Sequence, residues 1–527
     1  MCLRLQKAGG FPGHRQKLCD RKAVMFLMDK SFVIPISRRD FMKLVGLGTV
    51  GMMAGASEGS AEAAPEPVGA SGEGLPTILT ADVCVCGGGP AGVAAAITAA
   101  KNGKKTVLVE RGIALGGLAT MGCVYPCMPT FAYDSDTPYI NELNERMTRK
   151  GHKVLLGIET DTFYGGGAGQ YIPEVLMEVY DEMCEAYGVT VLYYASVVGA
   201  ETGGGEISSC VVHTLEGLAK IQAKVFIDAT GDAALSRFAG VPHEKGSAKT
   251  GRNQPMSFRF EMGDIDENKA YNFFTKKLKD TWSQLPPPNF EFAKWKKTEE
   301  FFKGGVARGE LAQDDILYIQ AFTIAGKDNT MSMNCPEMPP LDFSATDAVS
   351  YSKAVAFGRK MMRRLAGFFI KNIPGFEKAY ISREASVLGV RESWRIRGKY
   401  YMTDKEYTEA RHFPDAVART AYPIDIHDVN LDLSKKLKKG EYYEIPYRAL
   451  VTNEYSNLIV AGRCISASFA AQASVRIQPT CMSMGEAAGI AAAWGLDRGI
   501  PVNEIKWEEI PAEKRSYVSN SPIAASG

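Results

Sequence analysis

A short apolar run over residues 82–86 leads straight into Gly87-Gly88-Gly89-Pro90-Ala91-Gly92, and this junction constrains the chain more than any other feature. Val93 to Asn102 has helical character and ends at Gly103, and Thr106 to Glu110 reads as a second strand. A strand, a glycine-rich turn, a helix and a second strand ending in an acid form the opening of a parallel β-α-β unit that holds a dinucleotide. The three motif glycines serve different ends. Gly87 permits the tight turn, Gly89 lets a pyrophosphate touch backbone, and Gly92 lets the helix pack closely on the strand. The pyrophosphate then rests on the positive end of a helix whose first turn carries Pro90 and Ala91. Glu110 is placed to accept hydrogen bonds from ribose hydroxyls. The alternative is a glycine-rich turn in an ordinary α/β protein.

Later segments carry a resemblance. Glu110-Arg111-Gly112, continuing through Gly116-Gly117 and Thr120 to Gly122, is similar to the second phosphate-and-ribityl loop of glutathione-reductase-type flavoproteins, which bind FAD. Ala223 to Asp232 ends in Ala-Thr-Gly231-Asp232, like the returning strand of that family. Asn457 to Arg463 reads as a strand and a turn at Gly462, and the segment from Pro479 through Thr480, Cys481 and Gly485 to Gly489 looks like a C-terminal flavin-binding helix. The positive end of such a helix would face the flavin edge where negative charge collects on reduction. Val390–Tyr400, Ala421–His427, Ile445–Arg448 and Ala473–Arg476 extend the likeness. Over residues 80–500 the chain closely resembles the FAD-dependent oxidoreductases, distant relatives of fumarate reductase and succinate dehydrogenase flavoproteins.

The resemblance implies an α/β fold with a Rossmann-like FAD-binding domain of the glutathione-reductase type. That domain would be assembled from residues 80–245 and 444–510, with an inserted α+β substrate domain over 246–443 and a tail over 511–527. It also implies FAD contacts from Gly87, Gly89, Pro90, Ala91, Gly92, Glu110, Arg111, Gly116, Gly117, Thr120, Val197, Gly231, Asp232, Gly462, Arg463, Thr480, Cys481 and Gly485. There is one departure. Where many relatives carry a histidine after Ser-Ala-Thr/Ser, this chain has Ser466-Ala467-Ser468-Phe469, so no role of that histidine carries over. A second G-x-G-x-x-G is missing, so no separate nicotinamide domain is expected.

Flavin chemistry needs a proton donor or acceptor opposite the reacting ring and groups that orient the substrate. His427 is the one histidine inside the family-like segments and is the general acid/base candidate; the alternative is a structural histidine bonded to Asp425 or Asp428. Arg391, Arg448 and Arg476 can clamp a substrate carboxylate bidentately, or form structural ion pairs such as Arg391 with Glu392. Asp232 should approach the ribityl or pyrophosphate region, or else cap its turn. Cys123 and Cys127 could form a redox disulfide beside the flavin, but Pro126 between them favours burial as thiols. The Lys- and Phe-rich residues 273–305 read as an amphipathic helical cap, and Lys435-Lys436-Leu437-Lys438-Lys439 as a solvated surface. There is no C-x-x-C pair or H-E-x-x-H, and no metal is expected.

The start of the chain reads as an address. Ser37-Arg38-Arg39-Asp40-Phe41-Met42-Lys43, a weakly apolar run over 44–56 and Ala61-Glu62-Ala63 resemble a twin-arginine signal with its cleavage site. Residues 1–24 do not look like a signal, and Met25 or Met28 would be a more natural start. Residues 64–79 would then be a linker. Lys plus Arg number 61 and Asp plus Glu 60; removing ten and five of these with residues 1–63 leaves 51 − 55 = −4. That balance gives no basis for binding nucleic acid, and no apolar run reaches the ~18 residues of a membrane span. The expectation is an exported or periplasmic flavoenzyme for two-electron oxidation or reduction of a small organic molecule, either reduction of an unsaturated carboxylate or dehydrogenation of a sugar or hydroxy acid. A separate cytochrome or quinone-linked protein would exchange its electrons, and the twin-arginine machinery would export it. A non-catalytic flavin electron carrier is the alternative of another class.

Overall fold

The computed structural model describes residues 69–132, 135–151, 171–279, 286–287, 289–295, 297–324, 326–427 and 437–519. The expected leader, Asp428, Lys435 and Lys436 lie outside the described residues. Those described belong to one unit, Pro67–Gly527.

The first six strands are β1 (Thr77–Cys86), β2 (Thr106–Val109), β3 (Thr190–Leu192), β4 (Ser196–Gly203), β5 (Glu206–Thr214) and β6 (Gly217–Asp228). They lie side by side in the order β3-β2-β1-β6-β5-β4. β1 pairs in parallel with both β2 and β6, whereas β4, β5 and β6 form an antiparallel meander. Side chains along the parallel strands alternate between two apolar layers, as the two-residue period of a strand requires. Val83, Val85, Leu108 and Ile227 enter one layer; Cys84, Cys86, Val107 and Phe226 enter the other. Strands covered on both faces have no polar alternation, which explains the unbroken apolar reading of residues 83–86. β1 begins at Thr77, inside the expected linker, because Thr77–Ala81 pair with Lys220–Ala223 of β6.

The sulfurs of Cys84, Cys86 and Cys210 meet within 4.8 Å of one another in the second layer. Hydrogen bonding within the trio, together with burial, pushes Cys86 and Cys210 up and keeps them neutral thiols. They pack as small apolar side chains. Cys123 and Cys127 are likewise buried free thiols.

The helix Pro90–Lys101 follows β1, with Pro90 in its first turn. The helix Gln478–Arg498 crosses it so closely that a Cβ on Gly485 would lie 2.0 Å from the Ala91 carbonyl oxygen. A Cβ on Gly92 would lie 1.7 Å from the Gly87 oxygen, and Gly87 itself holds φ = 102°. The alanines and glycines of the two helices are therefore a packing requirement.

The middle of the chain contributes β7 (His243–Lys245), β8 (Phe260–Gly263), β9 (Glu291–Ala293), β10 (Gln320–Ile324), β11 (Lys327–Met333), β12 (Tyr380–Glu384), β13 (Trp394–Ile396), β14 (Ala416–Thr420) and β15 (Tyr443–Pro446). An antiparallel sheet, ordered β12-β8-β11-β10-β9, forms a cap layer. One face of that sheet supplies Phe292 and Ala321 to a phenylalanine cluster with Phe274, Phe302, Phe369 and the long helix Ala348–Asn372. Residues 273–305 accordingly are no single amphipathic helix. They contain a π-turn at Phe273–Lys277, strand β9 and the helix Lys297–Ala307, because their phenylalanines supply that core. Finally β16 (Leu458–Val460) returns to the first sheet and pairs in parallel with Phe226–Asp228 of β6. Segments from both ends of the sequence thus complete one sheet.

Candidate active site

A cavity of about 1470 Å³ lies along the carboxyl ends of β1, β2 and β6 and runs beneath the cap sheet. It exceeds the roughly 300–1,000 Å³ of a single small-molecule site, so it can take a dinucleotide and a second molecule. Ligands of open α/β sheets bind at this edge, where helix N-termini and tight turns leave backbone N–H groups free.

The dinucleotide end is built from short turns. Gly87, Gly89, Pro90 and Ala91 line it, and a Cβ on Gly89 would meet nothing within 4 Å, so backbone there is open to a ligand. Glu110 also lines it, with its carboxylate fixed by the Gly88 amide at 2.7 Å and the Gly112 amide at 2.6 Å. Those bonds use part of its accepting capacity and orient the rest, since a carboxylate offers about four lone-pair sites. Arg111, Gly117, Val197, Gly231, Asp232, Gly462, Arg463 and Cys481 complete the lining on this side. Asp232 accepts from Arg463 Nη2 and Ser393 Oγ, both at 2.7 Å, and lies 3.5 Å from Arg111. Burial works against its charge, but Arg463 and Arg111 outweigh it and hold the carboxyl below its ordinary value. The turn after β6 is capped by Asp228, which accepts from the Thr230 amide at 3.1 Å. Asp232 is therefore not the capping residue.

Five residues expected at the cofactor stand behind the lining instead. Gly92 and Gly485 are packing glycines, as described above. Gly116 adopts φ = 99° in the loop whose Thr120 hydroxyl donates to Leu115 O at 2.6 Å, so Gly116 and Thr120 shape the loop. Thr480 is fully buried in the first turn of the C-terminal helix, and its hydroxyl has no partner. The end of that helix does face the cavity, through Ile477, Gln478 and Cys481.

The second part of the cavity is walled by the cap. His427 sits there with Nδ1 2.7 Å from Glu337 Oε2 and Nε2 3.4 Å from Asp425 Oδ1. Burial and Arg391 push the His427 pKa down, but the two carboxylates outweigh them and raise it above its ordinary value. Burial likewise opposes the charge of Asp425, yet His427, Arg476 and Arg391 hold its carboxyl well below the usual range. Arg391 Nη2 lies 3.0 Å from Glu337 and Nη1 donates to Pro255 O at 2.7 Å. Its partner is thus Glu337 and not Glu392, which instead pairs with the fully buried Arg395. Arg476 donates to Asp425 Oδ2 at 2.9 Å.

Arg448 is not brought to this wall. Its Nε donates to Asp415 at 2.8 Å outside the lining, where half the side chain is solvated. It follows directly after β15 and is paired there with Asp415, so it does not line the cavity. Lys438 and Lys439 remain solvent-exposed at the cavity lining.

Several wall residues had no motif to announce them. Glu291, Gln320 and Phe322 alternate with core residues on β9 and β10, so they point toward the cavity while Phe292 and Ala321 point away. Gln320 donates to Glu291 at 2.6 Å and accepts from Tyr318 at 2.7 Å and Asn334 at 3.1 Å. Arg259, just before β8, lines the same wall. A polar residue inside an otherwise apolar strand was the available signal, and the two-residue period would have put Gln320 and Phe322 on one face.

The sequence profile of the family described as FAD dependent oxidoreductase matches residues 82–513. No curated protein matches the chain. Among solved structures, a geranylgeranyl bacteriochlorophyll reductase-like protein from Thermoplasma acidophilum is similar at 14% identity and a TM-score of 0.40, covering 83% of this chain and 84% of that one. A flavin-dependent brominase is similar at 13% identity and a TM-score of 0.43, with 82% and 81% covered. A flavoprotein/dehydrogenase from Cytophaga hutchinsonii is similar at 14% identity and a TM-score of 0.40, again with 82% and 81% covered. The glycine turn, the open backbone at Gly89 and the long cavity fit the cofactor that the matched profile requires: the chain belongs to the FAD dependent oxidoreductase family, and its cofactor is FAD.

Proposed function

We propose that the protein carries out a two-electron reduction of a small polar organic molecule seated between the FAD and the cap, with His427 as the proton donor. The observation that carries this reading is the pair His427 and Asp425 on the cavity wall, with Glu337 against His427 Nδ1. FAD, when bound, supplies hydride chemistry at its ring system. The chain's own residues supply the proton and the positioning. Glu337 faces Nδ1 at 2.7 Å, leaving the proton on Nε2, 3.4 Å from Asp425, as the one that can move. A histidine held above its ordinary pKa keeps its proton to higher pH than a free imidazole does, which suits it to give one. The cap sheet supplies Glu291, Gln320 and Phe322 to the wall over this part of the cavity.

The fold reading within this proposal is the glutathione-reductase type with a distant kinship to fumarate reductases. It rests on the loop over 110–122 and on the shared sheet of β1, β6 and β16. The residues contacting FAD are those lining the dinucleotide end from Gly87 to Ala91, with Glu110, Asp232 and Arg463. Export by the twin-arginine machinery to the periplasm, and electron supply from a cytochrome or quinone-linked protein, follow from residues 37–63 and from the missing nicotinamide motif. Among the described residues no helix is long and apolar enough to cross a membrane.

A second reading is dehydrogenation of a sugar or hydroxy acid. It is favoured by the Tyr318, Gln320, Asn334 and Glu291 network, whose donors and acceptors suit hydroxyl groups. An anaerobic visible spectrum with substrate panels separates the two. Reoxidation of the photoreduced protein by unsaturated carboxylates is the expected result. Bleaching of the oxidised protein by hydroxylated compounds would sink the reductive reading in favour of the second, and no response to either would leave a flavin electron carrier.

A further inference from the structure

Among the described residues, one arginine of the cavity has a charge that nothing balances. Arg259 is 5% exposed. Its Nη2 donates to the neutral Ser332 hydroxyl at 3.2 Å, its Nε has no partner, and its closest ring is Phe322, with the centroid 6.0 Å away. Among the described residues no carboxylate lies within ion-pair distance of it. The other arginines of the lining are all compensated: Arg391 by Glu337, Arg476 by Asp425, and Arg463 and Arg111 by Asp232. Two acids of the cap sheet have partners of their own, Glu261 in Tyr125 and Lys327, and Glu291 in Gln320.

A guanidinium buried without a counter-ion is strongly unfavourable in a ligand-free protein. Burial pushes its pKa below the ordinary arginine value, but arginine stays charged in proteins. Arg259 faces the cavity and not the phenylalanine cluster, which lies on the opposite face of the same sheet. An anion that arrives with the substrate removes the penalty, and the planar fork favours a planar oxyanion.

We propose that Arg259 binds the carboxylate of the substrate, so that this oxidoreductase acts on a small organic acid. Tyr318, Gln320 and Asn334, next to it on the cap, orient the polar remainder. The proposal deepens the reading of the cap-side cavity as a substrate site and rests on it. It also moves carboxylate recognition away from Arg391, Arg448 and Arg476, whose charges are already met within the protein.

The test uses the FAD-loaded full chain. Acetate, succinate and benzoate, each against its neutral amide, and inorganic phosphate are titrated while the visible flavin spectrum and the thermal midpoint are followed. The acids are expected to perturb the spectrum and raise the midpoint where the amides do not. Arg259→Met should weaken acid binding about tenfold to hundredfold, keep its FAD, and unfold at a midpoint equal to or above that of the ligand-free parent. Arg259→Lys, which keeps the charge but loses the fork, should weaken the acids by a smaller factor and serves if the methionine variant does not fold. Amides binding as tightly as acids, phosphate binding in place of carboxylates, unchanged affinity in the variant, or loss of FAD from it would each overturn the proposal. Turnover is not a readout, so acid binding without any redox response would count against the proposed reaction alone.

Discussion

At the scale of single residues, the cap-side wall works through shared carboxylates. Glu337 faces both His427 and Arg391, and Asp425 faces both His427 and Arg476. His427 therefore holds its proton because of Asp425, in its own segment, and Glu337, which no local motif contains. A histidine raised in the folded state adds stability below its unfolded value of ~6.5 and loses it as pH rises through the folded value. Glu337→Gln removes one of the two carboxylates that raise it. The His427-dependent limb of the pH–rate profile should move acidic, read from kcat/KM against pH. An unmoved limb would mean that a different group carries the proton. Arg448→Gln gives the opposite expectation. Its ion pair with Asp415 is half-exposed, so kcat/KM should stay within about twofold and stability within ~1 kcal/mol. A large rise in KM would return Arg448 to the substrate.

At the scale of elements, the two crossing helices carry a buried acid that the chemistry does not use. Glu486 accepts from the Tyr139 amide at 3.1 Å, and its other oxygen has no hydrogen-bond partner among the described residues. Burial pushes its carboxyl up to about 7, above the ~4.3 of an unfolded chain. A raised carboxylate binds more protons folded than unfolded, so stability is highest below the unfolded value and falls as pH rises through the folded one. Glu486→Gln should raise unfolding free energy by up to about 3 kcal/mol near pH 8, with the gain vanishing near pH 4. Urea titrations at several pH values would show it, and a pH-independent gain would contradict the assignment. The same helices explain which glycines could be understood beforehand. Gly87 and Gly92 follow from the turn and the close approach that the motif demands. Gly485 became a packing residue only when Ala91 of the other helix was found against it.

At the scale of the whole molecule, the cavity is formed by two layers whose strands come from distant parts of the chain. Its floor is the β1-β6-β16 sheet edge and its roof the cap sheet. A ligand filling it ties the layers together, and ligand binding to the folded state alone adds stability by mass action. Removing FAD should lower the thermal midpoint. Restoring it at about a thousandfold over its dissociation constant should recover roughly 4 kcal/mol, measured by thermal unfolding with and without added FAD. An unchanged midpoint would detach the cofactor from this cavity.

The amino-acid sequence by itself determined the dinucleotide end. The turn from Gly87 to Gly92, the acid Glu110 and the Ala-Thr-Gly-Asp turn at 229–232 are local features, because a phosphate-binding turn is made by consecutive backbone atoms and needs particular residues at fixed spacing. The short strand and turn at 457–463 were legible too, but the pairing of β16 with β6 came only with the structure. The cap-side wall was decided only by the tertiary structure. Arg259, Glu337, Gln320 and His427 lie far apart in sequence and meet because the cap sheet turns one face to the cavity and the other to its phenylalanine core. Whether an arginine such as Arg448 or Arg259 is neutralised or left unpaired depends on which carboxylate the fold carries to it, and charge compensation across a folded cavity leaves no periodicity in the chain.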